Sequence, residues 1–472
     1  MTINNKIKTA LYSTLILFGA TMLSCKKFLV QEPNNRIAIA DIFKDFEGAR
    51  TTLIACYDNL LSADMYGRTA MLYPDLVGGN IKYTRITNQY LFNTYTFVND
   101  PVNNDLDLLN LKAYNTIYRA NSVLENVNNA ADATQLQKNR MKADAYLIRA
   151  LSHFTLVTIF AQMPNFTANA SHAGIALRLQ NTSGIGTPSP ISTVAQVYAS
   201  IGLDIDSAKR LYANSVSIYN FGADKTWLSL NAAKAFESRV KLYTEKNADV
   251  VAITTDIIAN GGVGNIIPNA QYENAWRGRN MLQESIFELN YGDRTGGSLG
   301  DYFNPLAVTN YQFAATNDLL NIYDPNDVRR RTTMFTPYAN TFGSFLNTRK
   351  WSGIRDSANN IRMFRLSEIY LNRAEAYAKI GDATALQLAC NDLNRIRTRG
   401  LPTAVNIVPT IGQAALITEI LLERRRELCF EGQLFFDIAR NKQNLTRADC
   451  SASINCGLTY PSIKYAVPYP AN

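Results

Sequence analysis

A chain of 472 residues, 47% apolar and 18% charged, has the length and balance to bury a large core, which excludes disorder as its general state. The net charge of +8 is a mild excess, and no basic run is concentrated enough to make a nucleic-acid surface. With two histidines, His153 and His172, neither a His-rich metal site nor a Ser-His-Asp triad is readily assembled.

In chain order, residues 1–24 read as a leader. Lys6 and Lys8 give a positive start, residues 10–20 are apolar but too short to span a bilayer, and residues 21–24 lead to Cys25. Met22-Leu23-Ser24-Cys25 resembles a lipobox, which implies removal of residues 1–24, lipidation of Cys25 and a tether over residues 25–40. Several acyl chains on Cys25 would hold the protein at a membrane, where one alone would be marginal. Of the other five cysteines, Cys450 and Cys456 lie close together in a polar loop where export permits a disulfide. Cys390 and Cys429 fall on apolar helical faces and read as small core residues.

Apolar spacing predicts a first amphipathic helix over 41–61. Residues 62–105, rich in Asn and Thr around Gly78-Gly79-Asn80, read as loop with some extended structure. Helices follow over 108–129 and 135–161, then a long polar loop over 165–190, then helices over 193–212, 229–245 and 248–260. Residues 263–360 form a second irregular zone with one strand-like piece at 285–291 and a glycine-rich run at 292–300. Residues 362–380 and 384–398 make a hairpin about Gly381-Asp382, with small and large residues alternating at four-residue intervals as in tetratricopeptide-like pairs. The fold class is therefore mostly α: a tetratricopeptide-like hairpin scaffold over 41–472, with two long irregular insertions, 62–105 and 263–360, carrying minor β.

The helix predicted over 411–430 runs into the densest mixture of charge and bulk in the chain, residues 421–440. Glu423/Arg426, Arg424/Glu427 and Asp437/Arg440 are spaced at i,i+3, where helix geometry makes neighbours. The same stretch is too apolar to keep every charge in water, so some Arg–Glu pairs are expected to be buried and fully hydrogen-bonded. These charges read as a structural keystone rather than a catalytic centre.

Glu-Arg, Glu-Leu, Phe-Glu-Gly and Phe-Asp-x-x-Arg in this order resemble the C-terminal signature of the SusD/RagB family. Arg149-Ala150, Ala232-Ala233-Lys234-Ala235 with Arg239, Arg373-Ala374-Glu375-Ala376 and Asn394-x-x-Arg397 extend the resemblance in family order along the mature chain. It implies an outer-membrane lipoprotein of Bacteroidetes, facing outward. Such a protein would bind an oligosaccharide or related nutrient without reaction and deliver it to a SusC-like TonB-dependent transporter. The alternatives are a peptide-binding member of the family and a periplasmic α-solenoid scaffold. The family's ligand platforms correspond to the two insertions. Sugars present flat C–H faces and hydroxyl edges, so aromatic rings beside amides and charges are the candidates. In the first insertion these are Asn80, Tyr83, Arg85, Tyr90 and Tyr95; in the second, Trp276, Tyr291, Asp301, Tyr302 and Asn304. Trp227, just before a helix, reads as packing. No cofactor, catalytic residue or metal is assigned, since neither a phosphate loop nor calcium-loop spacing occurs.

Overall fold

The computed structural model describes residues 39–85, 87–181, 190–219, 224–277, 281–292, 299–306, 311–351, 359–450 and 455–470. Cys25 and the leader lie outside them. Beyond short helical turns at Ile39–Ile42, Phe92–Tyr95, Tyr272–Arg277 and Asn317–Asn321, the helices are α1 (Phe46–Leu60), α2 (Thr69–Gly78), α3 (Asp107–Asn126), α4 (Gln135–Phe160), α5 (Val194–Tyr212), α6 (Leu230–Tyr243) and α7 (Asn247–Asn260). They continue as α8 (Leu366–Ile380), α9 (Ala383–Gly400), α10 (Gln413–Leu428) and α11 (Leu434–Arg440). The starts follow local chemistry. Thr134 with Gln137 and Thr193 with Gln196 form capping boxes, and Asp45, Ser229 and Asp382 each accept a first-turn N–H. In succession α3 packs on α1 and α4, α4 on α5, α5 on α6, α6 on α7, α7 on α8, and α8 on α9 and α10. The result is the mostly helical hairpin scaffold that the periodicity predicts.

Several elements differ from the sequence expectation. The first insertion contains α2, buried along its whole length, so no polar face marks a helical period, and Pro74 stands inside it. The helix expected over 362–380 begins as a strand, β8 (Ile361–Arg365), whose five residues are all buried. A short, fully buried run has the same apolar look in either conformation. It pairs with β4 (Ser285–Leu289), the strand-like piece expected at 285–291. Within 165–190 lies β2 (Ala173–Ala176), paired with β3 (Ile191–Thr193). Among the described residues no helix is long and apolar enough to cross a membrane.

The keystone is not one helix. α10 stops at Leu428, and the chain turns through Phe430 (φ 65°) and Gly432 (φ 74°) into α11. Only glycine suits the second of these, because a Cβ there would lie 3.0 Å from the Ala70 carbonyl oxygen. Asp75 of α2 holds the turn by accepting the N–H groups of Phe430 and Gly432, each at 2.8 Å, and the Asn80 amide at 2.7 Å. Burial pushes the Asp75 carboxyl up to about 6, against these hydrogen bonds.

Around the turn, buried charges come from distant parts of the chain. Glu427 accepts from Arg329 at 3.0 Å, Arg365 at 2.6 Å and Arg399. Glu431 accepts from Arg365 and Lys350, both at 2.7 Å. Arg440 reaches Glu375 at 2.5 Å and Asp437 at 2.6 Å. The arginines hold Glu427, and Arg440 holds Glu375, well below the usual carboxylate range despite burial. Two of the three i,i+3 pairs form, Glu423–Arg426 at 3.2 Å and Asp437–Arg440. Arg424 instead turns from Glu427 to Asp437 at 2.9 Å and Asn372 at 2.7 Å. Arg329 and Lys350 belong to the second insertion, so the network bolts that insertion to the scaffold. Removing one partner from such a cluster leaves an uncompensated buried charge and costs about 3–5 kcal/mol.

Candidate functional site

The two insertions, far apart in sequence, are joined by one sheet. β1 (Ile81–Tyr83) of the first pairs antiparallel with β5 (Phe313–Ala315) of the second, and β7 (Gly343–Thr348) and β6 (Phe335–Asn340) follow in the order β1-β5-β7-β6. Further bonds tighten the seam: the Thr84 N–H donates to the Gln312 carbonyl at 2.8 Å, and the Tyr90 N–H to the Gln312 side chain at 2.8 Å. At its centre Arg68 donates to the hydroxyls of Tyr302 at 2.5 Å and Tyr90 at 3.1 Å. Its guanidinium lies 4.3 Å and 5.0 Å from the centres of the Tyr90 and Tyr302 rings, in cation–π range. Burial raises the Tyr90 phenol while Arg68 opposes it, so Tyr90 stays a neutral hydroxyl at physiological pH.

The candidate residues divide between this seam and the interior. Tyr90 and Arg85 are half-exposed at the seam, and Arg85 donates to the Asn88 carbonyl at 3.1 Å. Tyr302 belongs to the seam but is mostly buried beneath Arg68 and Tyr90. Tyr83 packs inward against Tyr95 and Phe313, and its hydroxyl donates to the Tyr90 carbonyl at 2.8 Å. Asp301 and Asn304 are buried beside Tyr302, and Asn304 accepts the Leu306 N–H at 3.0 Å. Tyr291 is buried, with its N–H on Asn360 at 3.0 Å.

Three candidates lie where they offer no ligand face. Asn80 is fully buried, its amide group on Asp75 and its oxygen accepting from Arg425 at 2.9 Å. Tyr95 is buried under Arg447, whose guanidinium lies 4.2 Å from the ring centre. Trp276 has no exposed surface and carries Lys350, Arg362 and Arg365 at 4.6, 5.0 and 5.2 Å from its ring. Its large apolar area is spent inside the charged core. Trp227 is a packing residue as expected, stacked on Tyr219 at 3.7 Å. The sulfurs of Cys450 and Cys456 are joined, and Cys390 and Cys429 are buried thiols.

What the sequence reading missed is the β6–β7 hairpin. Tyr338 and Phe345 are paired across its strands, with Tyr338 37% exposed and Phe342 at the tip 51% exposed. Tyr311 packs edge-on beneath Tyr338 at 5.5 Å, and the Lys82 ammonium lies 5.9 Å from the Phe345 ring. Asn340 donates to the Thr84 carbonyl at 3.3 Å, tying the hairpin to the first insertion. A signal was present in composition rather than period: Phe335, Thr336 and Tyr338 before the turn and Phe345 and Thr348 after it favour strands, around turn-forming Asn340 and Gly343. Pro337 inside the first arm argues against a central strand, and β6 is indeed the edge strand. Among the described residues the face offers rings, amides and cations. Among the described residues no group of three His, Cys, Asp or Glu residues could hold a metal ion.

A helical hairpin scaffold whose two insertions join to form one aromatic-lined sheet defines a class of protein, and comparison with known families agrees. The SusD family model matches residues 270–454, and a model described as starch-binding associating with outer membrane matches residues 27–242. The chain belongs to the SusD/RagB family. It is 24% identical to the SusD-like protein P38 of Formosa agariphila, over 93% of this chain and 92% of that one. Its fold matches a SusD superfamily protein from Bacteroides vulgatus with a TM-score of 0.79 at 23% identity, covering 91% of this chain and 96% of that one. It also matches a surface glycan-binding protein A from Bacteroides thetaiotaomicron, with a TM-score of 0.70 at 19% identity and coverage of 91% and 96%.

Proposed function

We propose that this protein binds an oligosaccharide non-covalently at the seam between its insertions and passes it, unaltered, to a TonB-dependent outer-membrane transporter. The observation that carries this reading is the exposed pair Tyr338 and Phe342 on a hairpin tied to Arg85 and Tyr90 through β1 and β5. Flat rings take the C–H face of a sugar, and the surrounding amides and guanidinium groups take its hydroxyls. Of the original candidates, Arg85, Tyr90 and Tyr302 contribute to this site, with Tyr83, Tyr291, Asp301 and Asn304 as buried support. A fold shared with a surface glycan-binding protein supports the ligand class.

The transporter partner and the outward-facing lipid anchor at Cys25 rest on the family resemblance and the lipobox. The direct test is calorimetry of the full chain against a panel of oligosaccharides and peptides. A glycan should bind, be recovered intact, and bind at least tenfold more weakly to the Tyr338→Ala/Phe342→Ala double variant. Cleaved products, or binding of peptides alone, would overturn the assignment. For the anchor, Cys25→Ala should move the protein from the membrane fraction to the soluble one.

A further inference from the structure

On the side of α3 facing β2 lies a concavity of about 520 Å³, within the range of about 300–1,000 Å³ usual for small-ligand sites. We infer that this trough is a second carbohydrate-binding site, separate from the seam. Its floor is fixed: Tyr114 donates its hydroxyl to the Ala176 carbonyl at 2.8 Å and accepts from Tyr469 at 2.6 Å. The Arg178 guanidinium lies 5.9 Å from the Tyr114 ring centre, and Arg178 is exposed. On α3, Asn115 and Tyr118 stand one turn apart along the rim, both exposed, the Tyr118 ring at 52%. Among the described residues the side-chain amides of Asn115 and Gln180 make no hydrogen bond within the chain.

The second observation is in the wall. Asn110 is 92% enclosed (8% exposed), lines the trough, and its side-chain oxygen has no hydrogen-bond partner. A buried acceptor of this kind is costly without a donor, and a ligand hydroxyl that reached it from the trough would supply one. A tyrosine face, one guanidinium, two free amides and an unmatched acceptor form a set for a ligand dense in hydroxyls and poor in charge. The rim residues Asn115 and Tyr118 also border a neighbouring concavity of about 1,020 Å³ that runs toward α1, so an extended chain has room to continue past the rim. An oligosaccharide fits this description better than a compact metabolite.

The choice of glycans as probe rests on the function proposed above, but the residues are different, so the two assignments fail separately. The experiment is a glycan array of neutral and acidic oligosaccharides probed with the full chain, with Tyr118→Ala/Arg178→Ala and with Tyr338→Ala/Phe342→Ala. All four positions are exposed, and melting curves of both variants should overlay the parent. At least one array glycan should lose tenfold or more of its signal in the Tyr118→Ala/Arg178→Ala variant and keep it in the other. If every bound glycan depends on Tyr338 and Phe342 alone, the second site is refuted while the seam stands. If the folded parent binds nothing, both are refuted.

Discussion

Of the places where arginine lies beside aromatic rings in this protein, two differ sharply in consequence. In the core behind α10, Trp276 is enclosed by Lys350, Arg362 and Arg365, and Lys350 and Arg365 end on the carboxylates of Glu427 or Glu431. At the seam, Arg68 lies against Tyr90 and Tyr302, and its shortest contacts are phenol hydroxyls, with Asp64 farther off at 3.6 Å. The first arrangement is closed and densely paired, though Nε1 of Trp276, Nε and Nη2 of Arg362 and Nε of Arg399 find no partner among the described residues. The second stands next to half-exposed rings and a hairpin that reaches into solvent. Charge density therefore marks what holds the protein together, and sparse exposed rings mark the proposed ligand site.

The largest effect should come from breaking the closed region. Glu427→Ala leaves three arginines without their shared carboxylate, and we expect a loss of about 3–5 kcal/mol in denaturant unfolding. A loss below about 1 kcal/mol would show that the ion pairs on Glu427 are not what holds this core together.

Acid should reach the same region next. Glu427, Glu375 and Glu431 have lowered values in the fold, so their contribution is present above the ordinary carboxylate range and lost progressively as pH falls from there toward their lowered values. His153, buried and lowered to about 3, also withdraws stability as pH falls from its ordinary 6.5. Asp75 acts oppositely: raised to about 6, it gains proton-linked stability as pH falls from there toward 3.8. The melting temperature should thus change little between pH 7 and 5 and drop steeply below about 4.5. Glu427→Gln should make that drop shallower, whereas an unchanged slope would remove Glu427 from its cause.

Gly432→Ala combines a positive φ with a close approach to Ala70 and should cost about 2 kcal/mol. Arg425 bridges the regions, reaching Asp318 at 2.5 Å and Asn80 at 2.9 Å while only half-buried. Arg425→Ala should cost about 1 kcal/mol and weaken ligand binding only slightly. Tyr338→Ala should change stability by less than about 0.5 kcal/mol while reducing glycan affinity in calorimetry. If it instead lowers the melting point as Gly432→Ala does, the hairpin belongs with the scaffold.

Much of the scaffold is legible in the sequence, since an amphipathic helix writes its buried face at a fixed spacing. α3 through α7 and α9 fall within a few residues of their expected limits. α2 and β8 are not, because an element buried on every side has no polar face to set a period. The seam was legible as a region: the two insertions do meet, and Tyr90, Arg85 and Tyr302 lie at it. Trp276 and Asn80 were not separable from surface residues of the same type. A tryptophan on a sugar platform and one beneath three cations read identically in one dimension.

By itself, then, the sequence determined the helical hairpins, the density of paired charge near the C-terminus and the family signature, all of which depend on residues close in the chain. Only the tertiary structure decided which carboxylate each arginine serves. Arg424 is one helical turn from Glu427 and yet pairs with Asp437, while Glu427 is taken by Arg329, Arg365 and Arg399 from three other elements. It also decided which rings remain in solvent, because exposure is a property of everything packed around a residue and of no single stretch of chain.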